Sequence, residues 1–190
     1  MVAVHLAVDH GHLAGKVASV DGVLITERLV LRPATTEDHA VLQTHWGTPE
    51  VRRFLFDGAM LSPAEITETI EESQRDFATA GYGLWLVHER AGPGLIGKGL
   101  IGTAGLRPLE ALGLEIFYSL VPGSWGQGYA TEAARAVVEH ALGSLGLPEV
   151  LAEVDLGNAA SVAVVRRLGM TRFDVVPGLL GPMTRYRRTA

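Results

Sequence analysis

The residues of this chain best suited to chemistry lie in one stretch, Ser124–Arg135 (SWGQGYATEAAR). Gly126, Gly128 and Ala130 alternate there, so a short loop carries almost no side-chain bulk. A strand-like run, Leu114–Val121, precedes it, and a helical run reaching Leu145 follows it. The first-turn N–H groups of a helix have no intrahelical partner and carry the positive end of its dipole. A bare loop leading into such a helix is an anion site, and phosphate is its usual guest. The same glycines would serve a sharp turn with no ligand, so the loop alone leaves both readings open.

Other chemistries find little support. There is no G-x-S-x-G elbow for a serine hydrolase, no G-x-x-x-x-G-K-[ST] loop for a nucleoside triphosphate and no H-E-x-x-H for zinc. Gly97–Gly102 matches G-x-G-x-x-G, but a dinucleotide fingerprint needs a helix directly after it. Thr103-Ala104-Gly105 and Pro108 follow instead, which suits a strand whose glycines allow close packing. His5, His10 and His12 lack the partner spacing of a metal site, and no metal is expected. Glu71-Glu72 reads as a solvated helix face.

Composition narrows the class. The 190 residues suffice for a domain with a real core, and 47% apolar with 19% charged residues is a globular balance. A formal net charge of −5 argues against direct nucleic-acid binding and requires that an anionic ligand be held by local donors. The absence of cysteine removes disulfides, thiolate chemistry and Cys-based zinc sites, and fits a cytoplasmic location. No apolar run approaches the roughly 20 residues of a membrane span. Residues 1–20 have no clear period and read as a flexible tail or one of cloning origin, leaving residues 21–190 as one α/β domain.

The elements that position the loop follow in order. Val23–Arg32 is a strand ended by Pro33. Thr36-Glu37-Asp38 opens a helix through Trp46, stopped by Gly47 and Pro49. Ser62-Pro63-Ala64-Glu65 is a capping box for a helix to about Ala80, closed by Gly81. Leu84–Glu89, Leu95–Leu106 and Leu114–Val121 form an antiparallel meander, with turns at Ala91–Gly94 and Pro108–Gly113. After the loop, Ala130, Ala133, Ala134, Val137, Val138, Ala141, Leu142 and Leu145 make one apolar face of period 3.6. Glu149–Asp155 is a strand, and Asn158–Leu168 a short helix with Asn158 as N-cap and Gly169 just past its end. Arg172–Val176 and Met183–Arg188 are the last strands.

The order strand, SWGQGYATEA, helix, strand, NAASVAVVRRLGM resembles the GNAT superfamily of N-acetyltransferases, most closely its RimJ/RimL-like branch. TERLVLRPATTED and WGTPEVRRFL resemble the same branch, and the likeness covers residues 23–190. It implies a single mixed, mostly antiparallel, splayed sheet of about seven strands flanked by about four helices. It implies direct transfer of an acetyl group from acetyl-CoA to a primary amine. By the same resemblance Gly126, Gln127, Gly128, Tyr129, Ala130 and Thr131 hold the pyrophosphate, mainly through backbone N–H groups. Tyr118, Ser119 and Leu120 then line the strand along which pantetheine lies. Asn158 contacts the cofactor arm besides capping its helix, and Ser161 shares its face. Trp125 departs from the usual Gln or Arg at the first loop position, as is common in this branch.

The catalytic groups are less plain. Many superfamily members carry a tyrosine seven residues after the asparagine to protonate the leaving thiolate. Here that position is Val165, so Ser161 or Tyr186 is the expected donor. Glu115 opens an otherwise apolar strand and is the expected proton acceptor through a water, unless it is an ordinary exposed strand carboxylate. Obvious bases are scarce. That favours an amine of low pKa such as a peptide or protein N-terminus, near 7.7–8.0 against about 10.4 for lysine. A polyamine, amino-acid or aminoglycoside acceptor stays open, as does a non-catalytic acyl-CoA-binding module, which the missing tyrosine keeps alive. The acceptor pocket is expected between the first two helices and the 108–113 and 177–182 turns, in a monomer or homodimer.

Overall fold

The computed structural model describes residues 18–92, 95–97 and 99–190; the His5–His12 tract and the rest of residues 1–17 lie outside it. The described chain forms one sheet of ten strands: β1 (Ala18–Val20), β2 (Val23–Ile25), β3 (Leu29–Pro33), β4 (Leu84–Gly92), β5 (Leu95–Ile96), β6 (Gly102–Leu109), β7 (Gly113–Leu120), β8 (Glu149–Asp155), β9 (Thr171–Val176) and β10 (Met183–Thr189). Five α-helices flank it: α1 (His39–Gly47), α2 (Pro49–Leu55), α3 (Pro63–Ala80), α4 (Tyr129–Glu139, continued by a π-type turn, His140–Ser144) and α5 (Ala159–Arg167).

The sheet order is β1-β2-β3-β4-β6-β7-β8-β10-β9, with β5 paired to β4 outside that path. The expected meander is present as β4, β6 and β7, all antiparallel. Strands beyond the expected seven are short. The run Val23–Arg32 breaks at Thr26–Arg28, and the run Leu95–Leu106 breaks into β5 and β6. No helix follows Gly102, which begins β6. A side chain at Gly102 would collide with the Ser119 carbonyl, so this glycine lets β6 and β7 approach closely.

Local chemistry explains the helix ends. In α3 the Ser62 hydroxyl accepts from Glu65 N, and the Glu65 carboxylate accepts from Ser62 N at 2.7 Å. Gly81, at φ 76°, ends that helix in the left-handed region. Helix α2 lies outside the expected set. Pro49 occupies its first turn, where the missing N–H costs nothing, rather than only ending α1.

Two apolar clusters cover the two faces of the sheet. On one face Ile116, Leu120, Val150, Ala152 and Val154 pack with the alanine-rich side of α4 and with Val164 and Val165 of α5. On the other, Leu42, Trp46, Ile66 and Ile70 of α1 and α3 pack with Leu84 and Leu86, and Phe117 joins them. Alternation along β7 therefore sends Ile116, Tyr118 and Leu120 toward α4 and α5, and Glu115, Phe117 and Ser119 toward α1–α3.

The sheet is forked. Strands β6 and β7 pair over eight residues and β8 and β10 over seven, but β7 and β8 run parallel and meet at one pair, Glu115↔Leu151. Beyond it the two strands separate. Helix α4 begins beyond the end of one arm and α5 beyond the end of the other. Among the described residues no helix is long and apolar enough to cross a membrane.

Candidate active site

The loop at the end of β7 is held by its own side chains. Trp125 Nε1 donates to Leu120 O at 2.9 Å, and Gln127 Nε2 donates to Gly123 O at 3.1 Å. Gly126 and Gly128 sit at φ 74° and 82°, a region that glycine enters without strain. Among the described residues, none of the main-chain N–H groups of Gly126–Thr131 has a hydrogen-bond partner. They lie at the N-terminus of α4, where the helix dipole is positive. A Cβ at Gly126 would meet nothing, so the loop surface is open. Bare donors, a positive dipole end and an open surface fit a diphosphate.

An arginine clamp fastens this loop. Arg28, just before β3, pairs with Glu132 in the first turn of α4 (Nη2–Oε2 2.6 Å) and donates to Gln127 O at 3.0 Å. Its guanidinium lies over the Tyr129 ring, and Tyr129 Oη donates to Glu89 Oε1 at 2.6 Å. The Thr26 hydroxyl donates to the other Glu132 oxygen at 2.6 Å. Tyr129 thus contributes its N–H to the loop while its side chain is buried beneath it. The partners lie about a hundred residues apart, beyond the reach of any local pattern.

The two sides of the fork differ in chemistry. On the α5 side, Asn158 Oδ1 accepts from Ser161 N at 3.1 Å, the expected cap. The Tyr118 hydroxyl donates to the Ser161 carbonyl at 3.4 Å. Burial pushes the Tyr118 phenol up to about 12, so it keeps its proton at neutral pH. Tyr186 of β10 is buried in the same apolar cluster, on the α4–α5 face. It lines a cavity of about 550 Å³ with Val162, Arg166, Met170, Arg172 and Thr184, and neither Tyr118 nor Ser161 lines that cavity.

On the α1–α3 side, Glu115 departs from expectation. It is only 4% exposed rather than an exposed strand carboxylate. Its Oε1 accepts from Arg107 Nε at 2.7 Å and its Oε2 from Glu153 N at 3.4 Å. It sits in the single pair that joins β7 to β8, so its carboxylate ties β6, β7 and β8 together at the apex of the fork. Glu153 is paired in turn with Arg185 of β10 at 2.5 Å.

Sequence reasoning missed His45. This residue of α1 is 3% exposed, and its Nε2 lies 2.8 Å from Ser119 Oγ, itself 2.8 Å from Thr103 Oγ1. A lone histidine on a short helix gives no sign of a partner 74 residues away. Burial pushes the imidazole down to about 4, so it is neutral at pH 7. The unfolded chain then binds a proton between pH 6.5 and 4 that the native chain does not, and stability falls across that window as pH drops. The loss from His45 amounts to about 3 kcal/mol. His45→Gln is expected to lose markedly less stability than the parent between pH 7 and 4.5, read as the shift in urea midpoint. Equal shifts in both proteins would show that His45 does not titrate this way.

Known proteins place this geometry. The family model for the acetyltransferase (GNAT) domain matches residues 28–171. An uncharacterised N-acetyltransferase, p20, from Bacillus licheniformis is 30% identical over 155 residues, 78% of this chain and 82% of its own. The crystal structure of an acetyltransferase from Agrobacterium tumefaciens str. C58 superposes with a TM-score of 0.74 at 25% identity, covering 88% of this chain and 94% of that one. RimL, a ribosomal L7/L12 alpha-N-protein acetyltransferase solved in complex with coenzyme A, superposes with a TM-score of 0.72 at 16% identity, covering 87% and 96%. This chain belongs to the GNAT acetyltransferase family, and acetyl-CoA is its co-substrate.

Proposed function

We propose that the chain, with residues 21–190 as one catalytic domain, acetylates the α-amino group of a peptide or protein N-terminus. The observation that carries this reading is the state of two carboxylates at the apex of the fork, Glu115 and Glu153. Glu115 is neutralised by Arg107 and Glu153 by Arg185. A polyamine carries several ammonium groups and needs several free carboxylates. A lysine side chain needs a strong base to lose its proton at neutral pH. For an α-amine a weak base suffices, because about a tenth of it is already neutral at pH 7. The fold likeness to RimL is in keeping with this acceptor.

Acetyl-CoA supplies a thioester whose carbonyl carbon is open to a neutral amine. The bare N–H groups of Gly126–Thr131 hold its diphosphate, and Arg28 and Glu132 fix the loop that presents them. The free edge of β7 at Tyr118–Leu120 pairs with the pantetheine arm, and Asn158 and Ser161 face that arm from α5. Orientation of this kind contributes a large share of the acceleration, since it replaces a chance encounter by a fixed geometry.

The reading is tested by thiol release with three acceptors: an alanine-leading peptide, the same peptide Nα-acetylated but carrying a lysine, and spermidine. The free N-terminus is expected to be preferred at least tenfold in kcat/KM. Comparable values for the lysine side chain or for spermidine would remove its support.

A further inference from the structure

Among the described residues three carboxylates are buried, Asp38, Glu115 and Asp155, and of these Asp155, the last residue of β8, is the one that pairs with no cation. It is 7% exposed, and its Oδ1 has no hydrogen-bond partner among the described residues. A buried carboxylate oxygen without a partner is unfavourable, and such groups gather at functional sites.

Its place in the fork is fixed by register. From the pair Glu115↔Leu151 the two strands run parallel, so four residues on, Ser119 and Asp155 stand at the same height on opposite arms. Val150, Ala152 and Val154 face α4 and α5, which sends Leu151, Glu153 and Asp155 to the α1–α3 side with Ser119. The turn after β8 holds the residue in place. Asp155 O accepts from Asn158 N at 2.9 Å, and Asn158 caps α5. Two charges face Asp155. Asp57 comes from the loop after α2, and Glu153 lies two residues back on β8, already paired with Arg185.

We propose that Asp155 is the base that takes the proton of the acceptor amine. Burial raises the proton affinity of its carboxyl, and the nearby charges of Asp57 and Glu153 raise it further. The acceptor arrives as an ammonium ion and passes one proton to a carboxylate oxygen of Asp155. The freed lone pair forms the nitrogen–carbon bond while the carbon–sulfur bond breaks. The nitrogen sheds a second proton, and one proton ends on sulfur, so the leaving group departs as a thiol. Asp155 returns the first proton to solvent. The net change is one amide, one thiol and one proton released.

The inference rests on the acetyltransferase reading, and the experiment separates the two. Asp155→Asn and the parent are compared by thiol release from acetyl-CoA with the alanine-leading peptide at pH 6.5 and pH 9, beside calorimetric binding of acetyl-CoA. At pH 6.5 the variant is expected to lose roughly fifteen- to thirtyfold in kcat/KM, the inverse of the neutral fraction of the α-amine at that pH. At pH 9, where the α-amine is already neutral, the deficit shrinks below about tenfold. Affinity for acetyl-CoA stays within about twofold. Asp57→Asn moves the acid limb of the parent profile to lower pH, because it removes a charge that favours protonation of Asp155. A deficit equal at both pH values, no deficit, or a parallel fall in acetyl-CoA affinity would overturn the role of Asp155. A parent inert toward peptide, lysine and spermidine alike would overturn the acetyltransferase reading itself.

Discussion

Gly128→Glu is expected to raise the dissociation constant for acetyl-CoA at least a hundredfold while leaving the protein folded. Gly128 caps α4 with φ 82°, and a Cβ there would meet only Arg28 Nη2, at 3.5 Å. The new side chain therefore has room, and its carboxylate lies where the diphosphate is held. Charge-assisted hydrogen bonds contribute about 1.5–3 kcal/mol each. Loss of two of them reaches a factor on the order of a thousand. Backbone strain at positive φ is a separate effect, so Gly128→Asn serves as its control. Asparagine tolerates the left-handed region and carries no charge. Its affinity is expected to fall less than about tenfold. Calorimetric titration decides the matter. If glutamate and asparagine weaken binding equally, the loop is held by shape and not by its bare donors. If neither does, the diphosphate sits elsewhere.

The parts of this site that were legible in the sequence are those built from neighbours. The capping box Ser62–Glu65, the cap Asn158–Ser161 and the bare loop Gly126–Ala130 each span a few residues, and local chemistry dictates each of them. Helix α2 was hidden because Gly47 and Pro49 read as a stop, while proline also suits a first turn. The residues that set the chemistry of the fork are joined across the chain. Glu115 reads as a strand carboxylate until Arg107 and the β8 backbone close on it. His45 and Ser119 meet only because α1 lies against β7, and Arg28 reaches α4 only because β3 begins beside it. Alternation along β7 could be counted from residue types alone. The side on which each helix packs could not, and it decides which residues meet the acceptor.

That sidedness also bears on the proton delivered to sulfur. Ser161 and Tyr186 were the expected donors, and Tyr186 lines a cavity that neither Ser161 nor Tyr118 lines. Tyr118 faces α5, and its hydroxyl touches the Ser161 carbonyl. In an α-helix that carbonyl accepts from the N–H four residues on, which is Val165, the position where the family resemblance led to the expectation of a tyrosine. The Tyr118 phenol therefore stands beside the backbone of the residue it would replace, reached from the strand instead of the helix. Tyr118→Phe is expected to lower kcat about a hundredfold, with acetyl-CoA affinity unchanged. Tyr186→Phe is expected to leave kcat within about twofold. The decisive construction is the double variant Tyr118→Phe/Val165→Tyr, which returns a hydroxyl from the helix side and is expected to recover at least tenfold of the lost kcat. A loss of packing would not be repaired by a larger residue at a fully buried valine. Failure of Tyr118→Phe to slow turnover would pass the role to the Ser161 hydroxyl, and Ser161→Ala would then carry the loss.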